Sequence, residues 1–302
     1  METSSRKQSS FPALSSAIPE ADRLTGTWAR VAGAVVPLPE ATDRSRPSIH
    51  PTALVARGAE LGPGVVVGPF AYIGPRVELG AGTRVGLHAI IEGCTTIGPG
   101  CQIHHGAVIG NIPQDLKFRG APTHVKIGKE TTIREYATIN AATGEGESTV
   151  VGDSVLLMAY AHVAHNCNIG NGVILANCVN LAGHVRVDDF ATIGGMTPVH
   201  QFVAIGCQAF IGGASRVAQD VPPYVKAAGN PLRACGLNSI GMERRGIPAD
   251  VRLEMKRAYR ILYRSQLNVG PALDRILREL KPYPEIHEFV EFVRSSERGI
   301  AR

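Results

Sequence analysis

Four histidines, His162, His165, His184 and His200, crowd into one short stretch of the second half of the chain. An imidazole with its ordinary pKa of about 6.5 can take a proton from a hydroxyl at neutral pH, and neutral imidazoles also ligate zinc. The group therefore admits proton transfer or a metal centre, and spacing favours the first. His165, Gly183 and Gln201 are evenly spaced along the chain, with His184 next to Gly183. If the chain returns to the same place at that interval, a glycine N–H stands one level above a histidine base, where it can meet a developing oxyanion. Cys167, which follows His165 closely, raises a nucleophilic alternative, but it occupies an inward, small-residue position of the repeat described next and reads as core.

That repeat is what positions the histidines. Stepping by six from Ile49 to Val217, 26 of 29 positions are Ile, Leu or Val, whereas their 45 occurrences in residues 49–222 would place seven or eight there by chance. A six-residue period rotates around a helix of 3.6 residues per turn, but suits short strands that turn inward at constant intervals. Three such strands make an 18-residue triangular coil, and stacked coils make an all-β solenoid with strands about 4.8 Å apart. Twenty-nine steps predict between nine and ten coils. The misses, Asp115, Ala121 and Glu145, lie in two interruptions at 110–126 and 140–150. Insertions in a solenoid leave as external loops, which often carry binding groups. After Val217 the period ends at Val221-Pro222-Pro223. Helical spacing follows, with Pro248 opening one helix through Val251, Met255, Tyr259 and Leu262, and Ile286, Phe289, Val290 and Val293 lining another.

Composition agrees with a chain of short strands. The 302 residues hold 34 Gly and 20 Pro, 44% apolar and 5% aromatic residues, so turn signals are frequent and a mostly helical protein is disfavoured. No run approaches the roughly 18 apolar residues of a membrane-spanning helix, which excludes an integral helical membrane protein. The net charge of +5 suits an anionic substrate or acidic partner, and no base-reading motif points to nucleic acid. Six cysteines without a CxxC pair read as reduced core residues. Residues 1–48, rich in Ser, Ala and Pro, read as a disordered leader; they lack a secretory core and carry too many acids for a transit peptide, so a cytoplasmic location is expected.

Longer motifs add specificity. IPQDLKF (112–118), LLMAYAHVAHNC (156–167), LAGHVRVDDFATIGGMT (181–197), VHQF (199–202), VAQDVPPYV (217–225) and ERRGI (243–247) together resemble the UDP-N-acetylglucosamine acyltransferases that begin lipid A biosynthesis. The resemblance covers residues 49–302. It implies a left-handed parallel β-helix over 49–227, a C-terminal helical domain over 228–302, and a homotrimer with active sites between subunits. It also implies transfer of an R-3-hydroxyacyl chain from acyl carrier protein to the 3-hydroxyl of UDP-N-acetylglucosamine, with no cofactor and no metal. By motif, His165 is the general base and the Gly183 N–H the oxyanion donor, while His162, His184 and His200 shape the site. Gln114, Asp115 and Lys117 would meet the sugar nucleotide, Gln201 the acyl chain, Arg244 and Arg245 the pyrophosphate, and Asn238 the uridine. Gly212 and Gly213 fall where acyl length is limited, and their small size predicts a long chain. Two positions depart from the family pattern. Asn166 follows the base where an acid is common, and Ile240 stands where an acidic uridine contact is often found.

The rival readings are the N-acyltransferase of the same pathway, acylation of a 3-amino sugar nucleotide, a γ-class carbonic anhydrase-like zinc enzyme, and a β-helix serving only as a binding module. The N-acyltransferase carries a folded uridine-binding domain ahead of the solenoid, which the segment 1–48, with its composition, cannot supply. The zinc enzyme needs a histidine spacing different from that of His162 and His165, and a bare binding module leaves the QDLK insertion and the Arg pair without a purpose.

Overall fold

The structure is a computed structural model that describes residues 45–302; the expected leader lies, up to residue 44, outside the described residues. From Ser48–Ile49 the chain passes in strict rotation through three sheets, whose strands pair in parallel from Ser48 through Ala228. Register confirms the 18-residue coil: Ile174 pairs with Thr192, and Thr192 with Phe210. The two interruptions lengthen their coils, so that Gln102 pairs with Thr132 and Thr132 with Leu156. Twenty-five strands, continued by the bridges Val199↔Val217 and Ile205↔Val221, complete nine coils. The expected count of nine to ten was high because three of the steps fall in external loops and build no wall.

The core is one column of the inward aliphatics, with Ile73, Ile91, Ile109, Ile139, Leu157 and Leu181 all fully buried. Small inward residues make room between them, and buried threonines keep their hydroxyls bonded: Thr131 Oγ1 donates to Gly152 O at 2.9 Å and accepts from Val155 N at 3.1 Å. Most corners place one residue at positive φ, including Asn166, His184 and Phe202 at one corner. A left-handed residue turns the chain without disturbing the inward period, and at this corner the three side chains are left partly or wholly exposed. Leu181, in the strand that leads into Gly183, pairs with Val163 and Val199 of the coils on either side. Leu181→Ala is expected to lower the unfolding free energy by about 2–5 kcal/mol through lost burial and a residual cavity, measurable by urea denaturation.

At the C-terminal end, Val225–Ala228 joins the first sheet in parallel and Arg233–Leu237 folds back on it antiparallel. The expected boundary after residue 227 thus falls inside a strand. Four helices follow: α1 (Ser239–Arg244), α2 (Ala249–Arg264), α3 (Val269–Glu279) and α4 (Pro284–Arg294). The spacing predicted α2 and α4 and missed α1 and α3. Buried Asp220 ties the tail to the last coil, accepting from Ala204 N at 2.8 Å and Ser296 Oγ at 2.6 Å. Among the described residues no helix is long and apolar enough to cross a membrane. All six cysteines are free, but the core reading holds fully only for Cys101, Cys167 and Cys207; Cys94 and Cys178 are half-buried and Cys235 is exposed.

Candidate active site

His165 sits where the second sheet turns into the third. Strand His162–Val163 precedes it and strand Asn168–Ile169 follows, each held by parallel partners above and below. Both insertions leave at this same corner, since 112–123 and 141–147 also connect strands of the second sheet to strands of the third. The repeat breaks and the histidine repeat therefore converge. His184 N donates to His165 O at 3.0 Å, placing Gly183 directly over the His165 ring. A Cβ on Gly183 would lie 2.5 Å from His165 Nε2, so glycine is needed here to admit the imidazole. Among the described residues the Gly183 N–H makes no hydrogen bond, which leaves it free to donate.

The protonation geometry of His165 follows from its neighbours. The Thr143 N–H donates to Asn166 Oδ1 at 3.1 Å, which fixes that atom of the amide as the oxygen. His165 Nδ1 lies 2.9 Å from the same oxygen and must carry the proton for the contact to be a hydrogen bond. The lone pair is then on Nε2, the nitrogen facing Gly183. Asn166 Nδ2 in turn donates to Glu147 Oε2 at 2.6 Å.

The other histidines frame this one. His184 meets it edge to face, with ring centroids 5.1 Å apart, and stacks on Phe202 at 4.7 Å. His162 Nδ1 bonds Thr138 Oγ1 at 2.7 Å. Burial, reinforced by the positive charge His165 can acquire, holds the pKa of His162 below the ordinary imidazole value. His184 is lowered by the same two causes, with Glu147 and Asp115 opposing. Both rings are thus biased towards the neutral form. Asp115 lies close enough for its charge to reach His184, and its carboxylate closes a turn by accepting from Lys117 N at 2.8 Å. Cys167 is fully buried, donates to Ala182 O at 3.2 Å, and has its thiol pKa pushed up to about 12 by burial, as befits an inert core residue.

Not every expected residue joins this group. His200 and Gln201 are exposed one coil above, with His200 Nδ1 3.2 Å from Gln201 O. Gln114 and Lys117 are exposed on the first insertion. Gly212 and Gly213 follow Phe210–Ile211 of the first sheet, at the corner lined by Tyr136, Tyr160 and Met196, all exposed. Arg245 lies at the remaining corner, its guanidinium 3.4 Å from the centre of the Phe190 ring. Arg244 is exposed beside it on α1. Asn238 caps α1, accepting from Gly241 N at 3.1 Å and donating to Gln208 O at 2.9 Å, so its amide is already engaged within the chain. Among the described residues no three His, Cys, Asp or Glu side chains converge to hold a metal ion. Sequence reasoning missed Glu147, Thr143 and Phe202. Glu147 lies inside the second repeat interruption, which was itself the signal that could have found it.

Residues 220–301 match the family model described as domain 2 of UDP N-acetylglucosamine O-acyltransferase, and residues 148–183 match the bacterial transferase hexapeptide repeat. An acyl-[acyl-carrier-protein]–UDP-N-acetylglucosamine O-acyltransferase of Thermodesulfovibrio yellowstonii is 49% identical over 255 residues, covering 84% of this chain and 99% of the relative. One from Synechocystis is 49% identical over 83% of this chain and 90% of its own. The UDP-N-acetylglucosamine acyltransferase structure from Campylobacter jejuni superposes with a TM-score of 0.80 at 38% identity, over 84% of this chain and 99% of that one. The Arabidopsis enzyme gives 0.74 at 35%, over 84% and 100%. The three parallel sheets, the hexapeptide repeat and the helical C-terminal region are accordingly those of a left-handed parallel β-helix.

Proposed function

Because this chain belongs to the acyl-[acyl-carrier-protein]–UDP-N-acetylglucosamine O-acyltransferases, the enzymes of the first step of lipid A biosynthesis, we propose that His165 is the general base of the transfer and that the Gly183 N–H receives the oxyanion. The observation that carries this reading is the fixed tautomer: Asn166 Oδ1 holds the proton on Nδ1, which leaves Nε2 basic against Gly183. Nε2 takes the proton of the sugar 3-hydroxyl as that oxygen attacks the thioester carbonyl of the R-3-hydroxyacyl carrier protein. The tetrahedral oxyanion is stabilised at Gly183. Its collapse breaks the C–S bond, and the imidazolium returns its proton to the departing thiolate. No acyl-enzyme forms on this route, in keeping with the buried Cys167.

The remaining roles depend on assembly. The base with the first insertion, the Gly212–Gly213 corner and the Arg244–Arg245 pair occupy three different corners of the prism. A single copy does not bring them onto one substrate, whereas a homotrimer with sites between subunits does, and the exposed Tyr136, Tyr160 and Met196 give it apolar surface to bury. In that arrangement Gln114, Asp115 and Lys117 contact the sugar nucleotide with His162, His184 and His200. Gln201 contacts the acyl chain, and Arg244 and Arg245 the pyrophosphate. Asn238 contacts the uridine with the N–H or oxygen lone pair that its two internal bonds leave over. The cytoplasm, where carrier protein and sugar nucleotide meet, is the location we assign.

Gly212 and Gly213 leave room for a long chain. Purified protein is therefore expected to turn over a fourteen-carbon 3-hydroxyacyl carrier protein faster than a ten-carbon one in a donor panel, and a preference for ten carbons would reverse the assignment.

A further inference from the structure

We infer that Glu147 is a positioning residue for the acyl transfer, acting on His165 through the side-chain amide of Asn166. The inference rests on the reading of His165 as the base. A carboxylate commonly orients a catalytic histidine directly, but the residue beside His165 is a neutral amide. The structure supplies the missing charge one step further back. Asn166 Oδ1 meets His165 Nδ1 at 2.9 Å, and Asn166 Nδ2 donates to Glu147 Oε2 at 2.6 Å. An amide whose N–H is bound by a carboxylate is polarised, so its oxygen is a stronger acceptor for the imidazole N–H. As His165 takes up the substrate proton, the Glu147 charge lies behind the amide to favour the imidazolium.

The loop is shaped around this carboxylate. Gly144 N donates to Glu147 Oε2 at 2.9 Å, and a Cβ on Gly144 would lie 2.5 Å from that oxygen. Gly146 N donates to Pro122 O at 2.9 Å, which ties the second insertion to the first. Thr143 holds Asn166 Oδ1 with both its N–H and its hydroxyl, at 3.1 and 2.9 Å, and Asn166 N donates to Thr149 Oγ1 at 2.9 Å. The amide therefore has one available orientation, and the six-residue lengthening of this coil serves to deliver Glu147 to it.

The test is a set of variants assayed for kcat and KM, each checked for folding and assembly. Glu147→Ala is expected to lower kcat about tenfold, with KM for both substrates changed less than about twofold, because one charge-assisted hydrogen bond behind the base is lost. Glu147→Gln keeps an acceptor but removes the charge, and should fall between. Asn166→Asp puts two carboxylates in contact and is expected to lose activity as well. Adding Glu147→Gln to Asn166→Asp should restore turnover, because the amide introduced at position 147 can then donate to the carboxylate introduced at position 166, which orients the ring directly. Glu147→Gln would thus be harmful beside asparagine and beneficial beside aspartate. A Glu147 that only supports its loop predicts equal harm in both backgrounds, and that outcome, or wild-type kcat in Glu147→Ala, overturns the inference. His165→Ala separates the two readings: if it is inactive while the Glu147 variants are fully active, the base stands and only the positioning role fails. If it is active, both fail.

Discussion

His165→Ala is expected to lower kcat by about 10³-fold or more while leaving KM for the sugar nucleotide within a few-fold. General-base catalysis by a positioned imidazole contributes roughly 10²–10⁴ in rate, and His165 is the ring whose Nε2 faces the Gly183 N–H with its tautomer fixed from behind. The fold should survive, because the inward positions of this coil belong to Val163, Cys167 and Ile169, all buried, while His165 lies half-exposed at the corner. Size-exclusion chromatography and circular dichroism of the variant should match those of the wild type. A variant retaining more than about a tenth of wild-type kcat would remove His165 from the proton transfer.

Gly183→Ala is expected to cost nearly as much, by a different route. Backbone strain is not the cause, since Gly183 is not among the residues at positive φ. The cost arises because the new Cβ would lie 2.5 Å from His165 Nε2, closer than two such atoms can approach. Either the ring moves off its Asn166 contact or the coil lifts, and both separate the base from the oxyanion donor. A fall in kcat of about 10²-fold or more is anticipated, the scale of losing one oxyanion donor, with little loss of overall stability because no core volume changes. Near-wild-type turnover in Gly183→Ala would show that the ring and the glycine need not be apposed for catalysis.

The parts of this protein that were legible in the sequence are those where side-chain period and backbone path are the same fact. An inward aliphatic every six residues from Ile49 to Val217 dictates a three-sided coil. The coil's 18-residue return then places Gly183 over His165 without further information, which the His184 N to His165 O bond bears out. The two interruptions were legible as breaks and therefore as loops, but their internal conformation was not. Glu147 reaches Asn166 through a non-periodic loop built on Gly144 and Gly146, and no spacing rule predicts such a path.

The C-terminal region shows the opposite limit. Pro222-Pro223 reads as the end of the sheet, yet Val225–Ala228 resumes it because Pro222 and Pro223 precede the strand instead of interrupting its ladder. Helix α3 was hidden by Gly270-Pro271, which reads as a breaker but falls in its first turn, where proline is tolerated. Helix α1 is only six residues long and rests on the Asn238 cap, so it carries too few turns for a period to show. Cys235 was assigned to the core by residue type alone, and it lies exposed on the second strand of the hairpin.

The most direct test of the account is a product analysis. Wild-type protein and His165→Ala are each incubated with UDP-N-acetylglucosamine and a 3-hydroxyacyl carrier protein, and both the small-molecule product and the intact protein are weighed by mass spectrometry. The account predicts an O-acylated sugar nucleotide from the wild type, essentially none from the variant, and no mass added to either protein during turnover. Equal product from both proteins, or an acyl adduct that accumulates on the wild-type chain, would contradict direct transfer driven by His165.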